Sequence, residues 1–256
     1  MLQPNVLESP VVSPLRPPSD LRVMFLIARR GSVEALRDRM TVMMSLFFAL
    51  ILPLVLVVAV LLPLKNDQSS LERVLAIYVL IIGLMPASSA IGIASGQFAG
   101  EKEQGNLTPL LASPASNLAI FGGKVVCAVA PSIIFSLAAE VCYLIYLTLF
   151  LGIDTLRLLP PGISLAMIVL VPVTSLFAAI VASLISSRVR TFNTAQQVSG
   201  LALIPLWAVV IGLSFKLQDW GTLAVVAMVA GLALIDLALT VASAKTWRRE
   251  EVLSKQ

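Results

Sequence analysis

Six long apolar runs, separated by short polar stretches, constrain this chain more than any other feature. They span 40–64, 74–100, 125–153, 162–187, 198–215 and 222–244. Crossing a hydrocarbon core of about 30 Å takes about 20 apolar residues in a helix. In lipid the backbone must bond to itself, so helices are the economical solution for such runs. The composition agrees: 58% of residues are hydrophobic and 12% charged, against about 25% charged in a soluble domain. The sequence therefore predicts an all-α integral membrane protein with six transmembrane helices in a domain over 40–244. Fifth and sixth runs are expected to form a hairpin turning at 216–221.

The flanks are unlike the runs. Residues 1–18 carry Pro4, Pro10, Pro14, Pro17 and Pro18 without periodicity and are expected to be a disordered tail. No apolar stretch opens the sequence, so no cleaved signal peptide is expected. Residues 19–39 place Leu21, Met24, Phe25, Ala28, Val33 and Leu36 at helical spacing among arginines. That pattern predicts an N-terminal amphipathic helix lying in the headgroup plane, broken or kinked at Gly31. Residues 245–256 form a charged C-terminal tail.

Lysines and arginines set the orientation. Of the 18, only Lys65, Arg73, Arg157 and Lys216 fall in the first, third and fifth connections. The rest lie in the termini and the other connections, so both termini are expected to be cytoplasmic. The net charge of +4 follows from these flanking residues and marks no nucleic-acid-binding domain.

Several chemistries are excluded. There is no histidine, which removes the HExxH metalloprotease helix and the Ser-His dyad. No phosphate-binding loop is present: Gly122-Gly123-Lys124 comes nearest, but Leu118 and Val125 break the pattern. Catalytic residues, a metal site and a cofactor bound by this chain are not expected. Cys127 and Cys142 read as packing residues, too far apart on one helix to bridge.

Two small-residue ladders stand out: Ser88, Gly92, Gly96 and Gly100 in the second run, and Ser175, Ala179, Ser183 and Ser187 in the fourth. Each lets helices approach closely. Glu140 and Asp236 are the formal charges well inside the runs and form a possible intramembrane polar site. A cation or proton pathway would make the protein an ion-coupled secondary transporter or channel. A carboxyl hydrogen-bonded between helices is the structural alternative.

Residues 100–114, between the second and third runs, are a polar island. Glu101, Glu103, Gly105, Leu107, Leu110, Leu111 and Pro114, followed by Gly123-Lys124, resemble the cytoplasmic loop of type-2 exporter permeases of the ATP-binding cassette class. Arg37-Asp38-Arg39, Arg188-Val189-Arg190 with Ala195-Gln196-Gln197, and Trp247-Arg248-Arg249-Glu250-Glu251 extend the resemblance, which is nearest to the sodium- and drug-exporting branch. Asn106 stands where that family usually has Thr.

The resemblance implies a cytoplasmic coupling helix between helices 2 and 3. Glu101, Glu103, Gly105, Leu107, Leu110 and Leu111 would contact a separate ATPase subunit, which binds the ATP and Mg. It also implies a second permease copy, homodimeric or heterodimeric, and a place in the cytoplasmic membrane of a prokaryotic cell. This chain would be the non-ATPase subunit of an efflux transporter.

Overall fold

In the computed structural model, residues 19–105, 115–159, 161–214 and 217–246 are described, and their regular structure is helical throughout. The expected tail at 1–18, most of the C-terminal tail, and Leu107, Leu110 and Leu111 lie outside these residues.

Helix α1 (Asp20–Arg37) starts after Ser19, whose carbonyl accepts from Val23 N–H at 3.1 Å. Asp20 in its first turn and Arg37 in its last complement the helix dipole. Its apolar stripe divides in two. Met24, Ile27, Ala28, Gly31 and Ala35 turn inward, while Leu21, Phe25 and Leu36 stay exposed. The helix runs unbroken through Gly31, contrary to the expected kink, because that glycine serves a close approach instead. A Cβ there would lie 2.8 Å from Cys127 Sγ.

Asp38 separates α1 from α2 (Arg39–Leu61). Its carboxylate accepts from the Thr41 hydroxyl and from Thr41 N–H, the latter at 3.0 Å, capping α2. The Thr41 hydroxyl bond, with the backbone bond beside it, holds the Asp38 carboxyl below its usual range. Within α2, wide π-turns at Phe47–Ile51 and Val57–Leu61 flank Pro53. Proline supplies no N–H and crowds the preceding turn, so the ladder opens around it.

Helix α3 (Gln68–Glu103) is capped at Asp67, which accepts from the hydroxyls of Ser69 and Ser70 at 2.8 and 2.7 Å. It is interrupted at Ser88, two residues after Pro86, where Ser88 N–H bonds back to the Met85 carbonyl at 3.1 Å. A π-turn at Gly96–Gly100 precedes its last residues. Gly105, at φ +72°, stops the helix in the left-handed conformation that a glycine adopts without strain.

Helix α4 (Asn117–Phe150) begins at Ser116, whose hydroxyl accepts from Ala119 N–H at 3.1 Å. It passes through Pro131 and ends before Gly152, at φ +99°. Helices α5 (Pro161–Arg188), α6 (Phe192–Ser214) and α7 (Leu217–Thr246) complete the chain. Because α7 already begins at Leu217, the α6–α7 connection is tighter than the turn expected at 216–221.

Among the described residues, five helical stretches are long and apolar enough to cross a membrane: α2, α3, α4, and the Ile168–Arg188 and Val226–Ser243 parts of α5 and α7. The expected fifth run, 198–215, is not among them. Most of it lies in α6, which opens with the polar residues Asn193, Thr194, Gln196 and Gln197.

The core divides in two. A distal cluster gathers Val57, Leu61, Leu75, Tyr143, Leu147 and Leu170. A proximal cluster, beside α1, gathers Ala28, Ile91, Phe98, Ile120, Phe121 and Ile180. Helices α3, α4 and α5 run through both. Of the two ladders, the one on α3 lies along the start of α6. Cβ atoms added at Gly92 and Gly96 would stand 3.7 and 3.8 Å from Gln196 and Phe192, ordinary contact distances.

Candidate functional site

The polar island begins with three consecutive charged residues, and each is tied to a different helix. Glu101 meets Lys124 of α4 in a salt bridge. Lys102 donates from Nζ to the Ser187 carbonyl in the last turn of α5, at 3.2 Å. Glu103 accepts from Phe192 N–H at the start of α6, at 3.1 Å. The charges suit their places: a cation meets unsatisfied carbonyls at a helix C-terminus, and a carboxylate meets free N–H groups at an N-terminus. Residues 101–103 are thus a clamp across α4, α5 and α6.

Lys124 is the buried half of this clamp, at 1% exposure, while Glu101 keeps 27% of its side chain exposed. An ammonium taken out of water needs several partners. Lys124 Nζ donates to Glu101 Oε2 and to the Gln97 carbonyl, and lies 4.9 Å from the centre of the Phe98 ring. Phe98 in turn packs on Phe121, with ring centres 5.7 Å apart. The Gly96–Gly100 π-turn shapes this pocket. There, Glu101 N–H bonds to the Gly96 and Phe98 carbonyls, and the Gln97 carbonyl accepts from Lys124.

Helix α1 braces the clamp from behind. Gly31 abuts both Cys127 and the Gln97 side-chain oxygen, and Ser32 Oγ donates to the Cys127 carbonyl at 3.2 Å. Gly123, next to Lys124, passes close to α1: a Cβ there would lie 2.9 Å from Ile27 Cβ and 2.9 Å from the Met24 carbonyl oxygen. Glycine at these two positions lets α1 lie directly on the first turns of α4.

Of the site residues expected from sequence, Glu101 and Glu103 are brought together in the clamp. Gly105, at φ +72°, follows it. Glu140 and Asp236 do not join it or bond to each other. Glu140 is half-buried on α4, with Oε1 unpartnered among the described residues. Asp236 is buried on α7. Cys127 and Cys142 are free thiols.

The bonds that Lys102 and Lys124 make were not foreseen. Lys124 gave one signal, a lone ammonium at the start of an apolar run, which has to find a carboxylate nearby.

These features sit within the part of the chain that matches a known family. The model described as ABC-2 type transporter matches residues 22–209. No curated protein matches the chain.

Proposed function

Because the chain belongs to the ABC-2 type transporter family, and is therefore a multi-pass membrane permease, we propose that it serves an ATP-driven exporter in which a separate subunit binds and hydrolyses the ATP. The observation that carries this reading is the clamp. A segment built only to connect α3 and α4 has no need to grip α5 and α6 as well. Here any force applied to residues 104–114 passes at once to α4, α5 and α6.

In this account Leu107, Leu110 and Leu111 supply the apolar contact with the ATPase, which holds ATP and Mg. Glu101 and Glu103 hold the loop to the membrane helices beneath it. The segment is cytoplasmic, as are both termini, and α6 makes the sixth crossing. Helix α1 lies at the cytoplasmic face of the cell membrane, with Leu21, Phe25 and Leu36 toward lipid and its arginines toward headgroups. A second permease copy, identical or related, completes the transporter.

The test is co-purification of the tagged permease with its ATPase. Leu110→Asp with Leu111→Asp should lose the ATPase while the permease still inserts. Full retention of the ATPase would remove the docking role from these leucines.

A further inference from the structure

Asp236 stands apart from the clamp and has no use in it. It is 2% exposed, and neither carboxylate oxygen has a hydrogen-bond partner among the described residues. Its backbone carbonyl does, accepting from Thr240 Oγ1 at 2.7 Å. Between residues 226 and 243, the fully buried positions of α7 are Leu232, Asp236 and Ser243. They lie on one face, and the helix that α7 packs against most is α5.

The level of Asp236 can be read from the two cores. Leu232 belongs to the distal cluster and Leu239 packs on the proximal one. Asp236 lies between them, where the core divides. On α5 the same division falls between Val173 and Leu176, at Thr174 and Ser175. The Thr174 hydroxyl is spent on the Leu170 and Val171 carbonyls, at 2.9 and 3.1 Å. Ser175 Oγ, fully buried, has no partner among the described residues; nor has Ser183 Oγ further along the same ladder.

An isolated carboxylate in so dry a place is strongly unfavourable. Among the described residues no ion pair reaches Asp236: α5 carries no lysine or arginine before Arg188, and α7 none between 226 and 243. Either a proton or a guest cation must meet the charge. The donors are hard oxygens with one formal negative charge between them. The chain has no histidine, and the described residues hold no cluster of His, Cys, Asp and Glu fit for a metal. Divalent ions draw on several carboxylates, and softer metals on nitrogen or sulfur.

We propose that Asp236, with Ser175 at the same level of α5, forms a site for a single alkali-metal cation at the division between the two cores. The ion would balance the carboxylate and fasten α7 to α5. The ATPase plays no part in this site, so it stands or falls separately from the exporter reading.

The experiment uses the full-length permease alone, purified into lipid nanodiscs. Its thermal unfolding is followed in sodium, potassium or lithium chloride, against choline chloride at constant ionic strength. The expected result is a saturable rise of about 5 °C with at least one alkali ion. Asp236→Asn should abolish the ion dependence. Ser175→Ala should keep the response but need a several-fold higher concentration of the ion. Equal melting of the wild type in all four salts, or an undiminished ion response in Asp236→Asn, would overturn the proposal.

Discussion

Lys124 on α4 reaches the carboxylate of Glu101 on α3 from a position only 1% exposed. The two partners are unequal, because Glu101 retains access to water. Glu101→Gln strands a buried ammonium, and should destabilise the permease by about 3 kcal/mol, the lower end for a broken buried pair. Lys124→Met leaves a carboxylate that water can solvate, and should cost clearly less. The double variant should resemble Lys124→Met alone. Thermal unfolding of the three variants checks the order, and equal losses for both single variants would contradict it.

The seat of α1 on α4 depends on Gly31 and Gly123. A methyl group at either would stand 2.8 or 2.9 Å from its neighbour. Gly31→Ala and Gly123→Ala should each cost about 1–3 kcal/mol. Gly123→Ala should be the worse of the two, because it meets the Met24 backbone as well as a side chain. Gly96→Ala has ordinary clearance of 3.8 Å to Phe192 and, with its gain in helix propensity, should be neutral or slightly stabilising. Melting temperatures of the three alanine variants decide this.

Asp38 gives a stability term that depends on pH. Its bonds to the Thr41 hydroxyl and backbone N–H lower its folded pKa beneath the ordinary carboxylate value. A depressed carboxylate pKa adds stability above the unfolded value, and that stability is lost as pH falls through the folded value. Asp38→Ala should therefore cost about 0.5–1 kcal/mol at pH 7, modest because the cap is exposed. Below the folded pKa the wild type and the variant should converge. A gap that stays constant down to pH 3 would show that the charge of Asp38 plays no part.

Much of the architecture was legible in the sequence because lipid leaves few options. Long apolar runs had to be helices. The partners across helices were not legible. Helical period says which residues share a face but not which helix that face meets. Gly31 was read as a breaker because a glycine weakens an isolated helix, yet here it brings α1 close to Cys127. For Glu103, expected to face a separate subunit, nothing local announced that it would also accept from the N–H of Phe192, 89 positions later. The run at 198–215 looked like the other five, and most of it lies in α6, but α6 begins with polar residues and its described part is not among the five spanning stretches.

The clamp predicts a separation between binding and coupling. Glu103→Ala frees the start of α6, and Lys102→Ala frees the end of α5, while Leu107, Leu110 and Leu111 stay intact. Both variants should capture the ATPase at wild-type yield on an affinity resin. A large fall in yield would mean that these residues dock the ATPase themselves.

The most direct measurement of the central claim is ATP turnover by the co-purified ATPase, on the wild-type permease and on the Lys102→Ala, Glu103→Ala double variant. If residues 101–103 carry motion between the ATPase and α5 and α6, the double variant should hold the ATPase but lose, by about tenfold, the control that the permease exerts on turnover. Turnover controlled by the double variant as fully as by the wild type would contradict the account.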